Sequence, residues 1–200
     1  MNHKLKIALV FLVTNALSAT VMAHTGADVH AHLGFISGLV HPILGIDHLA
    51  AMLAVGLWTA LTARRASVDL LWAPAGFAGA LLVGATVGLS GLNLPATEPM
   101  IAASLLMLGL LVISRLRLSG GAAASLVGGF AFFHGLSHGH ELAGQASATS
   151  VLAGMLCATL LLHACGLALG WTLRSAPAWA ARIVGTSTAL LGAGLLTQLA

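Results

Sequence analysis

Charge is what this sequence has least of. Only 6% of its 200 residues are Asp, Glu, Lys or Arg, where a soluble domain carries about a quarter. With 58% hydrophobic residues and a mean hydropathy of +1.00, that scarcity excludes a water-soluble globular domain and points to an integral membrane protein. Tyrosine is absent, so no phenolic acid or radical can serve a mechanism. The only cysteines, Cys157 and Cys165, fall in one apolar run; on a helix they stand about 12 Å apart along the axis, too far for a disulfide. They read as small core residues. No Gly-x-x-x-x-Gly-Lys loop is present to argue for ATP. The formal charge of +3 includes no basic block interleaved with aromatics, so nucleic acid is not an expected partner. Lipid is.

What is abundant is apolar sequence in segments of membrane-spanning length. Residues 1–23 begin with His3, Lys4 and Lys6, continue through Ile7 to Ala16 and finish Val21-Met22-Ala23, which reads as a cleavable secretory signal peptide; the rival is an uncleaved first span. Residues 24–32 hold His24, Asp28, His30 and His32, a periplasmic segment that either collects metal or is a solvated tail. Six apolar runs follow within 33–200, at about 33–62, 68–92, 98–114, 120–142, 147–173 and 178–199, each near the roughly 20 residues a spanning helix needs. The expected fold is therefore all-α, a polytopic bundle of six transmembrane helices.

The few charges orient it. Arg64 and Arg65 follow the first run, Arg115 and Arg117 the third, Arg174 and Arg182 the fifth, while the loops after the second and fourth contain no Lys or Arg. The positive-inside rule makes the arginine-bearing loops cytoplasmic and puts both mature termini outside the cytoplasm. Trp58, Trp72, Trp171 and Trp179 fall near the cytoplasmic ends, as interfacial anchors do. Glycine recurs at Gly84/Gly88 and Gly135/Gly139, spacings that let membrane helices approach closely and leave an oligomer open. Three spans plus three, with a histidine cluster in the first of each half, is the layout of a 3+3 inverted repeat.

Ionisable groups inside such runs are costly, and the default reading is a functional site. In His41-Pro42-Ile43-Leu44-Gly45-Ile46-Asp47-His48 the two imidazoles share a helical face, with Asp47 placed to brace a neighbour or bind directly. In Phe133-His134-Gly135-Leu136-Ser137-His138-Gly139-His140-Glu141, His134, His138 and Glu141 form one stripe and His140 falls on another side. His163 lies alone in the fifth run, where a buried histidine is a ligand or merely a packing partner. Imidazole and carboxylate donors suit a borderline divalent metal ion. Helical rise predicts two levels, an outer one of His41, His134, His138 and Glu141 and an inner one of Asp47, His48 and His163. Pro42 and Gly45 interrupt the first helix beside its ligands. Met52, Met100, Met107 and Met155 form no Met-x-Met cluster and read as core.

At these residues the chain resembles the HupE/UreJ family of membrane proteins. The resemblance rests on His41-Pro42-x-x-Gly45-x-Asp47-His48, continuing through Met52-x-Ala54-Val55-Gly56-x-Trp58, and on Phe133-His134-Gly135-x-x-His138-Gly139-x-Glu141, and it covers essentially the whole mature length. It implies a secondary nickel permease of the bacterial inner membrane with periplasmic mature termini, or for some relatives a cobalt carrier, supplying hydrogenase or urease maturation. His41, Asp47 and His48 would then be needed for transport, with the His134/His138/Glu141 stripe joining them. No prosthetic group is expected; Ni²⁺ or Co²⁺ is cargo, and the chain is not an enzyme. The competing readings are an intramembrane metalloenzyme with Glu141 as general base, and a non-transporting factor that holds metal for a partner enzyme.

Overall fold

The structure, a computed structural model, describes residues 34–199. The segments expected to form the signal peptide and the His24, His30 and His32 tract lie outside the described residues. Among the described residues there are seven α-helices and one short 3₁₀ turn, and no strand. In chain order they are α1 (Phe35–Leu44), α2 (Ile46–Thr62), the 3₁₀ turn Val68–Leu71 leading into α3 (Trp72–Gly88), α4 (Thr97–Ser114), α5 (Gly120–Glu141), α6 (Ala148–Leu173) and α7 (Ala178–Gln198).

The first apolar run is not one helix. Between α1 and α2 the axis turns by 82°. Pro42, inside α1, has no N–H to give to the preceding turn, which weakens the helix just ahead of Gly45. Gly45 then serves both elements: its N–H caps the His41 carbonyl at 3.0 Å, and its own carbonyl accepts from Leu49 N–H at 2.8 Å. Asp47 follows in the first turn of α2, where the helix dipole favours a carboxylate.

Among the described residues four stretches are long and apolar enough to cross a membrane: Val68–Gly88, Thr97–Ser114, Ala148–Leu173 and Ala178–Gln198. The bent α1–α2 pair counts as a fifth if taken as one span. Helix α5, with 22 residues, is long enough for a hydrocarbon core of about 30 Å, but its six glycines and three histidines lower its hydropathy. Gly120 and Gly121 form its first turn, capped by Ser119 Oγ accepting from Ala122 N–H at 3.4 Å.

The helices pair in a definite pattern: α3 with α5, α4 with α7, and α6 with both α1 and α2. Glycine permits the closest pairing. A Cβ at Gly84 or Gly88 of α3 would collide with the carbonyls of Phe132 and Leu136, and one at Gly135 or Gly139 of α5 with those of Leu81 and Ala85. Backbone meets backbone along this seam, so dispersion contacts are made at the shortest range. The main apolar core joins α2, α3, α4 and α5 around Trp58, Phe77, Leu81 and Val127.

Leu44, Val68, Leu190 and Ile36 are among the apolar side chains facing outward, as expected where the solvent is lipid. Two expectations need correction. Trp58 is no interfacial anchor: it is buried, and its indole N–H donates to the Leu116 carbonyl at 2.9 Å, tying the end of α2 to the α4–α5 loop. Trp72, Trp171 and Trp179 are exposed. Both cysteines are free, but Cys165 points outward and is not part of the core.

Candidate metal centre

The break at Gly45 folds His48 back toward His41. Their ring centroids lie 5.5 Å apart, and His138 of α5 completes the group at 4.8 Å from His41 and 4.6 Å from His48. One nitrogen from each of the three can be chosen so that all lie within 4.8 Å of one another. His48 and His138 are buried and His41 is partly so.

The two carboxylates stand behind these rings. Asp47 Oδ1 accepts from His48 Nδ1 at 2.8 Å, and Glu141 Oε2 takes the corresponding place at His138 Nδ1 at a longer 3.5 Å. The 2.8 Å contact assigns the His48 ring proton to Nδ1 and leaves its Nε2 with a lone pair, the arrangement by which second-shell carboxylates orient metal-binding histidines. The Nε2 atoms of His48 and His138 face each other at 2.6 Å. At that separation one ring's N–H donates to the lone pair of the other. A shared proton satisfies the pair as it stands; a metal about 2.1 Å from each nitrogen needs the rings to open to about 3 Å.

His134 is near this group without joining it. Its ring centroid is 5.3 Å from that of His48, but its Nε2 meets Ser104 Oγ at 3.0 Å. Ser104 gives its own proton to the Ile101 carbonyl at 2.6 Å, so the hydroxyl accepts from His134 Nε2–H and the ring's Nδ1 keeps a lone pair. That Nδ1 is buried with no hydrogen-bond partner. His163 stands farther off, its ring edge-on to Phe77 at 5.1 Å, and neither of its buried nitrogens has a hydrogen-bond partner. Phe77 also touches the His134 ring, at 5.9 Å between centroids.

The expected two levels are therefore rearranged. His48, placed by helical rise with His163, sits instead against His41 and His138, because the bend returns the start of α2 to the level of α1. Ser104 and Phe77 were not anticipated. Ser104 had a signal, a lone hydroxyl in the apolar stretch between Met100 and Ile113; Phe77 is one aromatic among many apolar residues and had none. His140 takes no part in the cluster: it is exposed, with Nδ1 donating to the Gly91 carbonyl at 3.1 Å in the α3–α4 loop.

The family model for "HupE / UreJ protein" matches residues 11–195. The chain belongs to the HupE/UreJ family. It is 40% identical over 184 residues to "Protein HupE" of Rhizobium leguminosarum bv. viciae, an alignment covering 90% of this chain and 93% of that relative. No solved structure matches it. HupE/UreJ membership together with four to five apolar helices makes this a multi-pass membrane protein. Within this HupE/UreJ chain the trio of histidines is the group among the described residues whose donors could hold a metal ion.

Proposed function

We propose that this protein is a secondary permease that imports Ni²⁺, with Co²⁺ as the neighbouring candidate, across the bacterial inner membrane to supply hydrogenase or urease maturation. The observation that carries this reading is the 2.6 Å approach of His48 and His138 Nε2, each backed by a carboxylate. Such a pair aims two imidazole nitrogens at one point, and with His41 beside it the donor set suits nickel or cobalt. In this reading His41, His48 and His138 bind the ion, while Asp47 and Glu141 hold the ring tautomers. His134 and His163 are later stations, each keeping an unpartnered nitrogen in the interior. An apolar bundle tolerates such groups at about 1–3 kcal/mol each, a cost that transient ligation offsets. Weak successive sites are what passage needs, because a cation must enter and also leave.

Transport is favoured over hydrolysis by the carboxylates themselves. A catalytic centre needs a general base aimed at metal-bound water, and here Asp47 and Glu141 are engaged with histidine nitrogens. A divalent ion gains roughly 4.6 kcal/mol on entering across 100 mV, so membrane potential is a sufficient driving force. The proposed topology counts α1–α2 as one span and α5 as another, six in all after a cleaved signal peptide, with the arginine-bearing end in the cytoplasm. Helix pairing supports the inverted repeat: exchanging the first three spans with the last three turns the α1/α2–α6 pair into α5–α3 and maps α4–α7 onto itself.

The test is uptake of radioactive nickel by cells lacking their own nickel importers, comparing the native chain with His48→Ala. Native cells should accumulate nickel and His48→Ala cells should fall to background. Equal accumulation by both, with both proteins present in the membrane, would remove the site from the mechanism.

A further inference from the structure

At the arginine-bearing end the helices enclose a second feature, which metal passage does not explain. A pocket of about 680 Å³ opens between the end of α2, the 3₁₀ turn and the start of α5, lined by Arg64, Arg65, Arg117, Thr62, Ser67 and Ser119 among others. None of these arginines makes an ion pair among the described residues. The single carboxylate in the lining, Asp69, accepts from Ser67 Oγ at 3.0 Å. Three guanidinium groups against one carboxylate repel a divalent cation, so the pocket is no resting place for the metal. They suit a group with several acceptor oxygens and negative charge, for which planar guanidinium donors are the best partners.

The rim says where that group comes from. Ser67, Asp69 and Ala73 line the pocket, whereas their neighbours Val68, Leu71 and Trp72 are exposed at 75%, 57% and 50%. One short segment thus offers polar atoms inward and an apolar edge outward. A free phosphate would use only the first. We propose that this pocket binds the phosphate of an anionic phospholipid headgroup, its acyl chains running out over Val68, Leu71 and Trp72. Basic pockets between membrane helices on the cytoplasmic side have this chemistry, and the orientation proposed above puts this end in that leaflet. The inference does not depend on which metal, if any, the histidines carry.

Native mass spectrometry of the full-length protein in neutral detergent tests it, with phosphatidylglycerol, phosphatidylcholine and inorganic phosphate as probes. The native protein should retain phosphatidylglycerol in preference to phosphatidylcholine, a comparison that needs no variant. Arg64→Gln with Arg117→Gln should lower retention by about tenfold or more. Arg174→Gln with Arg182→Gln, exposed arginines outside the pocket lining, should leave retention unchanged. Equal loss in both double variants would reduce the effect to diffuse charge and overturn the site. Equal retention of the two lipids would do the same, and full displacement by inorganic phosphate would overturn the lipid in favour of a free anion.

Discussion

Two elements bring histidines to the same place by opposite means. Helix α5 is unbroken, and its His134 and His138 are spaced about 6 Å along the axis, so His138 joins the trio with His41 and His48, while His134, its ring 5.3 Å from that of His48, turns its Nε2 to Ser104. In the other element, His41 and His48 would stand about 10 Å apart on a continuous helix, yet the 82° turn at Gly45 brings their rings to 5.5 Å. A regular helix distributes ligands along a stripe. A broken one gathers them into a cup, and the stripe then supplies a single wall.

The comparison breaks most severely if the turn is removed. Replacing Pro42 and Gly45 together by alanine removes the two poorest helix formers beside the bend, at about 3 and 1 kcal/mol, and shifts the balance toward a continuous helix. His41 would leave the cluster, and nickel affinity of the purified protein, measured by calorimetry, should fall by about 100-fold or more, beyond what loss of an outer-shell partner costs. Unchanged affinity in a folded variant would mean that the bend does not build the site.

A smaller effect separates the two supporting carboxylates. Asp47→Asn neutralises a carboxylate 2.8 Å from a buried histidine, whereas Glu141→Gln neutralises one at 3.5 Å whose side chain is 51% exposed. Affinity should drop by about 10- to 100-fold for Asp47→Asn, the usual range for an outer-shell partner, and by less for Glu141→Gln. The reverse order would show that Glu141 binds the ion directly. Acid supplies a third probe. A proton occupies the lone pair that the metal requires, so affinity falls as pH falls, and with ordinary imidazoles titrating near about 6.5 uptake should decline steeply below that value. A flat response between about pH 5 and 7.5 would exclude neutral imidazole as the donor.

Much of this architecture was legible in the chain. The apolar runs match the helices closely, α6 and α7 especially, because lipid demands about 20 apolar residues per crossing and leaves little freedom in where they begin. The interruption at Pro42 and Gly45 was also readable from residue types. Its direction and size were not, since 82° depends on how α1 packs against α6, where a Cβ at Gly38 would strike the Val151 carbonyl. Depth arithmetic on a straight helix consequently put His48 on the level of His163, whereas the fold sets its ring against His41 and His138. Trp58 failed for a related reason: position near a helix end suggests an interface, but the Leu116 carbonyl that captures its indole lies 58 residues away in sequence.

The smallest predicted effect concerns the wall that the stripe leaves outside the cup. Ser104 is fully buried and accepts from His134 Nε2 while giving its proton to Ile101, so it fixes which His134 nitrogen keeps the lone pair. Ser104→Ala deletes one hydrogen bond between membrane helices, which typically contributes about 1 kcal/mol or less, so the melting temperature should drop only slightly. Equilibrium nickel affinity should change by less than about threefold, because His134 is not among the three converging rings. If His134 is the next station, however, its ring is now free to present either nitrogen, and the uptake rate should fall more than the affinity does. Equal small changes in both quantities would make His134 a packing residue and confine the metal route to His41, His48 and His138; a large loss of affinity would place His134 in the primary site, and the contrast between stripe and cup would disappear.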